Sequence, residues 1–377
     1  MRKRRVIPVL VLALASLALW FAPPARQVAF DQGEAVRARV TAVDDSDVQR
    51  LGNLDYGSQH LEVEVLSGSA KGGRFRANNE IRAQAELDKQ FRVGDTALVI
   101  VPPGGAKPGE ELVARDHWRL GWIAVLFGAF CALLCAFGGW TGAQALFSFL
   151  FSCLVVWKLL VPLTLAGWPA SWMAFVAVSV LTAVIMYLVA GPTRKGAAAT
   201  LGALLGVLGG LLLAHLFSGL MHVNGATQPF VVALLNAGYE SLDLADVFVG
   251  AVVLASSGAV MDLAMDIAAG MDEVARHNPS LPRAELLRSG VRIGRSVVGT
   301  MTTTLLLAYS GGYLTLLMVF AAQGTRPLDF INSTLVSAEL VKTLVGSFAL
   351  VLVAPATALV SAWLLKPHYP QPIARNP

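Results

Sequence analysis

Charge is scarce in this chain: Asp, Glu, Lys and Arg make up 14% of its 377 residues, against 55% hydrophobic residues. With a mean hydropathy of +0.61, that balance excludes an ordinary water-soluble protein of this length. The net charge of +4 does not point to nucleic acid, because the basic residues fall between apolar blocks rather than on one face. Cysteine is scarcer still. Cys131, Cys135 and Cys153 are the three, all in apolar stretches, so a disulfide scaffold is excluded and buried thiols that simply pack are expected. Also missing are His-Glu-x-x-His, Gly-x-Ser-x-Gly, Gly-x-Gly-Asp and a glycine-rich phosphate loop ending in lysine. Their absence removes the usual residues of metalloproteases, serine hydrolases, intramembrane aspartyl proteases and ATP-driven machines. No catalytic residue, metal or cofactor is expected, and the chain reads as a non-enzyme.

What is present comes in blocks. Arg2-Lys3-Arg4-Arg5 followed by the apolar run Val6 to Phe21 is a signal peptide or a signal anchor. The anchor is favoured, because Trp20-Phe21-Ala22-Pro23-Pro24 lacks a small-x-small cleavage site. Residues 27–116 then have the composition of a soluble domain. Short alternating strands are predicted at Val36 to Val43, His60 to Leu66, Gly73 to Ala77, Phe91 to Val101 and Glu110 to Ala114, with turn signals between them. Five such strands make a small exported β-rich domain, a sandwich or an OB-like barrel. With few aromatic residues for stacking, it is not expected to bind nucleic acid.

Apolar blocks follow in close order over residues 117–365: Leu120 to Phe137, Ala143 to Leu163, Trp172 to Ala190, Ala197 to Phe217, Asp246 to Ala269, Val297 to Ala321 and Thr334 to Leu365. Each is near the ~20 residues that a bilayer needs. With the anchor they give an α-helical integral membrane bundle of about eight spans, the lipid bilayer being its first partner. Arg2 to Arg5, Arg194-Lys195, and Arg276, Arg283, Arg288, Arg292 and Arg295 alternate to one side, so both termini, including the short tail 366–377, are expected in the cytoplasm of a bacterium. Residues 27–116 would then be extracytoplasmic, on the outer side of the inner membrane. Gly202, Gly206 and Gly210 repeat every fourth position and mark a helix-packing face.

The chain's acidic residues single out Val247 to Thr304. Asp262 and Asp266 are four apart and so share a helix face, about one turn from each other. Ser257 and Gly258 are expected on the same side one turn earlier. Asp262 lies sixteen residues beyond Asp246, about 24 Å along a helix, which is the inner half of a bilayer core. A carboxylate there needs company. The hydroxyls of Thr300, Thr303 and Thr304, opening the next span from the same side, are the expected partners, with Arg292 and Arg295 approaching from the loop. Glu339 and Lys342, three apart in the last span, form a secondary polar pair, while Glu240, Asp243 and Asp246 make an outer acidic patch, either a cation collector or a solvated rim.

Ser257-Gly258-Ala259-Val260-Met261-Asp262-Leu263-Ala264-Met265, Asn278-Pro279, Glu285-Leu286, Ser289-Gly290, Ile293-Gly294-Arg295, and Gly299-Thr300-Met301-Thr302 to Leu307-Ala308-Tyr309 together resemble the YibE/F-like family of bacterial multi-pass membrane proteins. Ser67-Gly68 with Lys71-Gly72, Val93-Gly94-Asp95, Asp116 and Arg119, and Glu339 with Gly346-Ser347 and Pro355 extend the resemblance over nearly the whole chain. Thr303 and Ser296 depart from the asparagine and aspartate that members often carry. The resemblance implies fold and location rather than mechanism.

Two function classes fit these residues. One is a transporter or permease in which Asp262 and Asp266 bind a small ion, a proton or a solute, with the Ser256-Ser257-Gly258 stretch opening the helix locally. The other is a non-transport membrane scaffold or envelope-assembly protein whose exported β-domain binds an envelope protein partner. Nothing in the sequence fixes the oligomeric state.

Overall fold

The computed structural model describes residues 33–85, 87–105 and 110–365. The expected anchor (1–26) and tail (366–377) lie outside the described residues. The chain divides between Leu134 and Cys135 into two compact units.

The first unit holds five strands, β1 (Glu34–Leu51), β2 (Leu54–Val65), β3 (Arg74–Arg82), β4 (Thr96–Val101) and β5 (Leu112–His117), which close into a barrel in the order β1-β2-β3-β5-β4. Of the two sequence alternatives, the barrel is the one formed. Its interior is the period-2 set of the strands, including Val36, Ala38, Val40, Leu61, Val63, Val65, Val99 and Leu112. Gln59 and Asn79 are polar yet fully buried at one end. Gln59 Oε1 accepts from the Phe91 backbone N–H (2.8 Å) and Asn79 Nδ2 donates to the Lys89 carbonyl (2.7 Å), while Asn79 Oδ1 is buried without a partner among the described residues.

Several strand ends differ from expectation: β2 begins at Leu54 rather than His60, and β3 and β5 run on to Arg82 and His117 rather than stopping at Ala77 and Ala114. β1 does not stop at Val43 but runs on through Asp44-Asp45-Ser46-Asp47 to Leu51. A register shift between Asp44 and Asp47 absorbs the acidic stretch, and the Ser46 N–H, within the bulge, donates to Asp44 Oδ1 (3.0 Å). β4 begins at Thr96 rather than Phe91, because Asp95 Oδ2 accepts from the Arg92 N–H (2.8 Å) and folds residues 92–95 into a turn.

The helical elements are α1 (Leu120–Leu165), α2 (Ala170–Ala190), α3 (Arg194–Leu220), α4 (Val231–Asn236), α5 (Leu244–His277), α6 (Arg283–Gly312), α7 (Leu314–Ala322), α8 (Pro327–Asn332) and α9 (Thr334–Leu365). Five of them, α1, α2, α3, α5 and α9, are long and apolar enough to cross a membrane. The pair α6–α7, bent by 65°, makes a sixth if counted as one span.

The expected eight spans are therefore not reproduced. The anchor lies outside the described residues, and the second and third spans are one helical run, α1, of 46 residues. Gly138-Gly139-Trp140 carries no proline or charge to end a helix, so the helical run departs from its path at Gly139 alone (φ 53°, ψ −125°). At about 1.5 Å per residue, α1 is roughly 69 Å long, more than twice a bilayer core of ~30 Å, and Gly139 falls between the two expected spans. The expected span Val297 to Ala321 is likewise bent, at Tyr313, just after Gly311-Gly312.

In the helical unit α5 is central, packed by α2, α3, α6 and α9, while α3 and α9 form the closest pair. The glycine repeat makes that closeness. Gly206 faces Val353 and Gly210 faces Ala349. A Cβ at Gly202 would lie 2.7 Å from the Thr357 Cα, so the α9 backbone occupies the space that a side chain would need.

Candidate functional site

The N-terminal end of α5 is built from acids with structural duties. Asp243 caps the helix, its Oδ1 accepting from the N–H groups of Ala245 (3.0 Å) and Asp246 (3.1 Å). Asp246 Oδ2 accepts from the Ser171 N–H at the start of α2 (3.1 Å), and its Oδ1 lies 3.9 Å from His215 Nε2 on α3. Of the expected acidic patch, Asp246 is thus a tie between three helices and Asp243 a helix cap, while Glu240 is exposed. Sequence spacing could not join His215 to Asp246, because they are on different helices.

Farther along α5 the exposed face carries Ala255, Gly258, Asp262 and Asp266, while Leu263, Ala264, Ile267 and Ala268 are buried against the bundle. The i, i+4 inference holds for the two carboxylates, and Gly258 shares their face. Ser257 does not. It is buried, as is Ser256, and both hydroxyls turn back onto their own helix: Ser256 Oγ to the Val252 carbonyl (3.0 Å), Ser257 Oγ to that of Leu254 (2.8 Å). With those bonds made, α5 runs unbroken from Leu244 to His277, and the expected local opening at Ser256-Ser257-Gly258 is absent.

The expected cluster of Asp262 with the threonines is also not formed. Thr300 Oγ1 donates to the Val297 carbonyl (2.9 Å), Thr303 to Gly299 (3.1 Å) and Thr304 to Thr300 (2.9 Å), each within α6. A neighbouring carbonyl of the same helix is always in reach, and it takes the hydroxyl proton. The three threonines nevertheless share the exposed side of α6 with Arg292, Arg295, Ser296 and Gly299. Contacts fix the levels: Gly294 lies against Ile267, and Gly290 against Met271. Counting outward from these contacts, Arg295 is level with Asp266, and Gly299 and Thr300 are level with Asp262. No hydrogen bond or ion pair to Asp262, Asp266, Arg292 or Arg295 is found among the described residues.

Glu339 and Lys342 form their pair, Nζ to Oε1 2.8 Å, with side chains only 21% and 16% exposed. Beside it, Tyr309 and Leu305 of α6 and Ser256 of α5 converge on Gly346 of α9. The Tyr309 hydroxyl and Thr343 Oγ1 are buried without a hydrogen-bond partner. Sequence reading passed over both, though Tyr309-Ser310 just before Gly311-Gly312 was the available signal. This pocket of polarity is separate from Asp262, which lies six residues farther along α5 than Ser256.

On the barrel, a cavity of about 330 Å³ is lined by Asp44, His60, Glu62, Arg76 and Glu111 among others. His60 sits between two carboxylates, Nε2 3.1 Å from Asp47 and Nδ1 3.3 Å from Glu111. The hydrogen bond to Asp47, aided by the charge of Glu111, raises the imidazole above its ordinary value despite partial burial. The cysteines are free; Cys131 and Cys135 are half-buried and Cys153 is exposed, rather than buried as expected. No group of three or more His, Cys, Asp or Glu suited to a metal ion occurs among the described residues.

No curated protein and no solved structure matches the chain. Residues 126–367 match the YibE/F-like protein family, a range that includes every membrane-length helix from α2 onward and both helices that carry the exposed face around Asp262, and the chain is a membrane protein belonging to that family.

Proposed function

We propose that this chain is a permease that moves a small cation, or a solute coupled to a proton, across a bacterial inner membrane, with Asp262 as the ion-binding group. The observation that carries the reading is a carboxylate at mid-bilayer depth on an unbroken helix, exposed, with no counterion among the described residues. Gly250 lies against the Ala170 backbone, where α2 begins. α2 is 21 residues long, about 32 Å, or one crossing. Asp262 is twelve residues past Gly250, about 18 Å below that level and roughly 12 Å short of the other side. An ionised carboxylate in hydrocarbon costs roughly 2.5–3.5 kcal/mol on insertion scales, so it is retained where it is solvated, protonated or cation-bound. Asp266, one turn nearer the cytoplasm, adds negative potential at the mouth, and the Thr300 and Thr303 hydroxyls are near enough in level to rotate toward a bound ion.

The lysine and arginine distribution supports cytoplasmic termini and an extracytoplasmic barrel. In that frame the Asp262 face opens to the cytoplasm, and α1, broken at Gly139, supplies two crossings. The reading assigns no catalytic step and no bound cofactor. Its test is charge movement in proteoliposomes driven by jumps in proton, sodium or potassium concentration. Asp262→Asn keeps the shape and removes the charge, so it should abolish the current while protein level and thermal midpoint stay normal. Equal currents in wild type and variant would sink the reading.

A second reading, a scaffold that holds an envelope protein on its barrel, is favoured by the charged cavity at His60. It calls for Asp262→Asn to leave function intact and for His60→Ala to release the partner.

A further inference from the structure

Asp262 and Asp266 belong to a polar face that spans two helices, and that face is open. On α5 it runs through Ala255, Gly258, Asp262 and Asp266; on α6 through Arg292, Ser296, Gly299 and Thr303. A Cβ built at Gly258 or Gly299 would meet nothing within 4 Å, whereas one at Gly202, Gly206 or Gly290 would strike a packed neighbour. The glycines of the buried interfaces are filled by this chain. Those of the polar face are not.

Hydrocarbon cannot cover such a surface, because two carboxylates and two guanidiniums with no partner among the described residues would each face lipid or its headgroup boundary. The lipid-facing surfaces of the same unit are of another kind: Leu201, Leu205 and Leu212 on α3, and Leu344, Phe348 and Leu352 on α9. The polar face therefore marks a contact, and its charges say with what. It carries both signs, and it carries them at matched depth, Arg295 level with Asp266 and Arg292 about one turn nearer the cytoplasm. A two-fold axis along the membrane normal preserves depth. Under that operation the acids of α5 meet the arginines of a second α6, and the arginines of the first α6 meet the acids of the second α5, which is the self-complementarity that an isologous interface requires.

We propose that a second copy of this chain covers the α5–α6 face. Asp266 of one copy pairs with Arg295 or Arg292 of its partner, and the glycine faces at Gly258 and Gly299 let the helices approach closely. Asp262, level with Gly299 and Thr300, is then walled on its open side by the partner's α6, so its groove is complete only in the dimer. The proposal does not depend on transport, since the face needs cover whether or not an ion passes.

The test uses the full-length chain with Cys131, Cys135 and Cys153 replaced by serine. Two differently tagged forms, one Gly258→Cys and the other Thr303→Cys, are co-expressed and oxidised in the membrane. A disulfide-linked heterodimer is expected, with none from a Leu205→Cys control. In liposomes, subunit counting by single-molecule photobleaching should show two steps. Asp266→Arg and Arg295→Asp should each lower dimer affinity about tenfold, and the double exchange should restore it. Single-step bleaching with no heterodimer would overturn the proposal. So would a bridge from Gly258→Cys to Ala15→Cys within one chain and without dimer, which would give the face to the chain's own first apolar segment. If the charge exchanges unfold the protein, the cysteine arm decides alone.

Discussion

Gly202→Ala is the smallest change that tests the tightest helix contact in the membrane unit. The added Cβ would lie 2.7 Å from the Thr357 Cα, well inside ordinary contact distance, and that atom is backbone and cannot rotate away. α3 and α9 must part by several tenths of an ångström along a seam that also includes Gly206–Val353 and Gly210–Ala349. Overpacking of this kind costs about 1–3 kcal/mol, and the upper half applies because the whole seam opens. The gain in helix propensity from Gly to Ala, about 1 kcal/mol, offsets part of it. The net expectation is a loss of roughly 1–2 kcal/mol, or a fall of several degrees in thermal midpoint for a unit of this size.

Gly209→Ala is the control on the same helix. Its Cβ meets only Leu352 Cδ1 at 2.7 Å, the far end of a side chain that can change rotamer, so the propensity gain should win. Thermal unfolding in detergent, followed by intrinsic fluorescence, measures both. A Gly202→Ala protein as stable as Gly209→Ala would refute the inferred α3–α9 contact.

The His60 bridge predicts a pH signature in the barrel. Its imidazole is raised in the folded state, so its stabilisation is fully present below about pH 6.5 and is lost as pH rises through the folded value. The isolated 27–116 domain, expected to fold alone, should fall in thermal midpoint relative to His60→Gln as pH climbs from 6 to 9; a constant difference would contradict the bridge. Asp243→Ala removes the cap of α5 and should cost about 1 kcal/mol, read as a lower midpoint in the intact chain. For orientation, single cysteines at Ala226 and Ser280, both exposed, should differ: an impermeant thiol reagent outside the cell labels the first and spares the second. Labelling of Ser280→Cys would reverse the topology.

Sequence showed where polarity lies but not where it points. The apolar blocks and the alternating strands were legible, because burial imposes their periods directly. β1 was cut short at Asp44 because a bulge that pairs a run of acids leaves no hydrophobic trace. The two apolar blocks of α1 were separated at the right place, since the helical backbone breaks at Gly139 between them. At the site, the Asp262–Asp266 face followed from helical spacing, and Gly258 with it. Ser257 was misplaced by one residue of helix rotation, which is enough to bury it. The threonines of α6 were expected as partners of Asp262, but hydroxyl direction is decided by the nearest carbonyl, a choice that spacing does not record. The bend at Tyr313 escaped notice since Gly311-Gly312 hardly alters average hydropathy. His215 with Asp246, and Tyr309 with Thr343 near Glu339–Lys342, depend on which helices neighbour each other, and that is tertiary information.

The central claim is that Asp262 faces water at mid-bilayer depth, and a thiol in its place reports this directly. In the cysteine-free chain, Asp262→Cys, Leu263→Cys and Leu307→Cys would be treated in native membranes with a small water-borne methanethiosulfonate. Leu263 is fully buried, and Leu307, 66% exposed, faces lipid in this account. Because the reagent attacks a thiolate, and thiolates form in water, the account predicts rapid labelling at position 262 and almost none at 263 and 307. If position 262 reacts no faster than position 307, the face is lipid-like and Asp262 is not an ion-binding group.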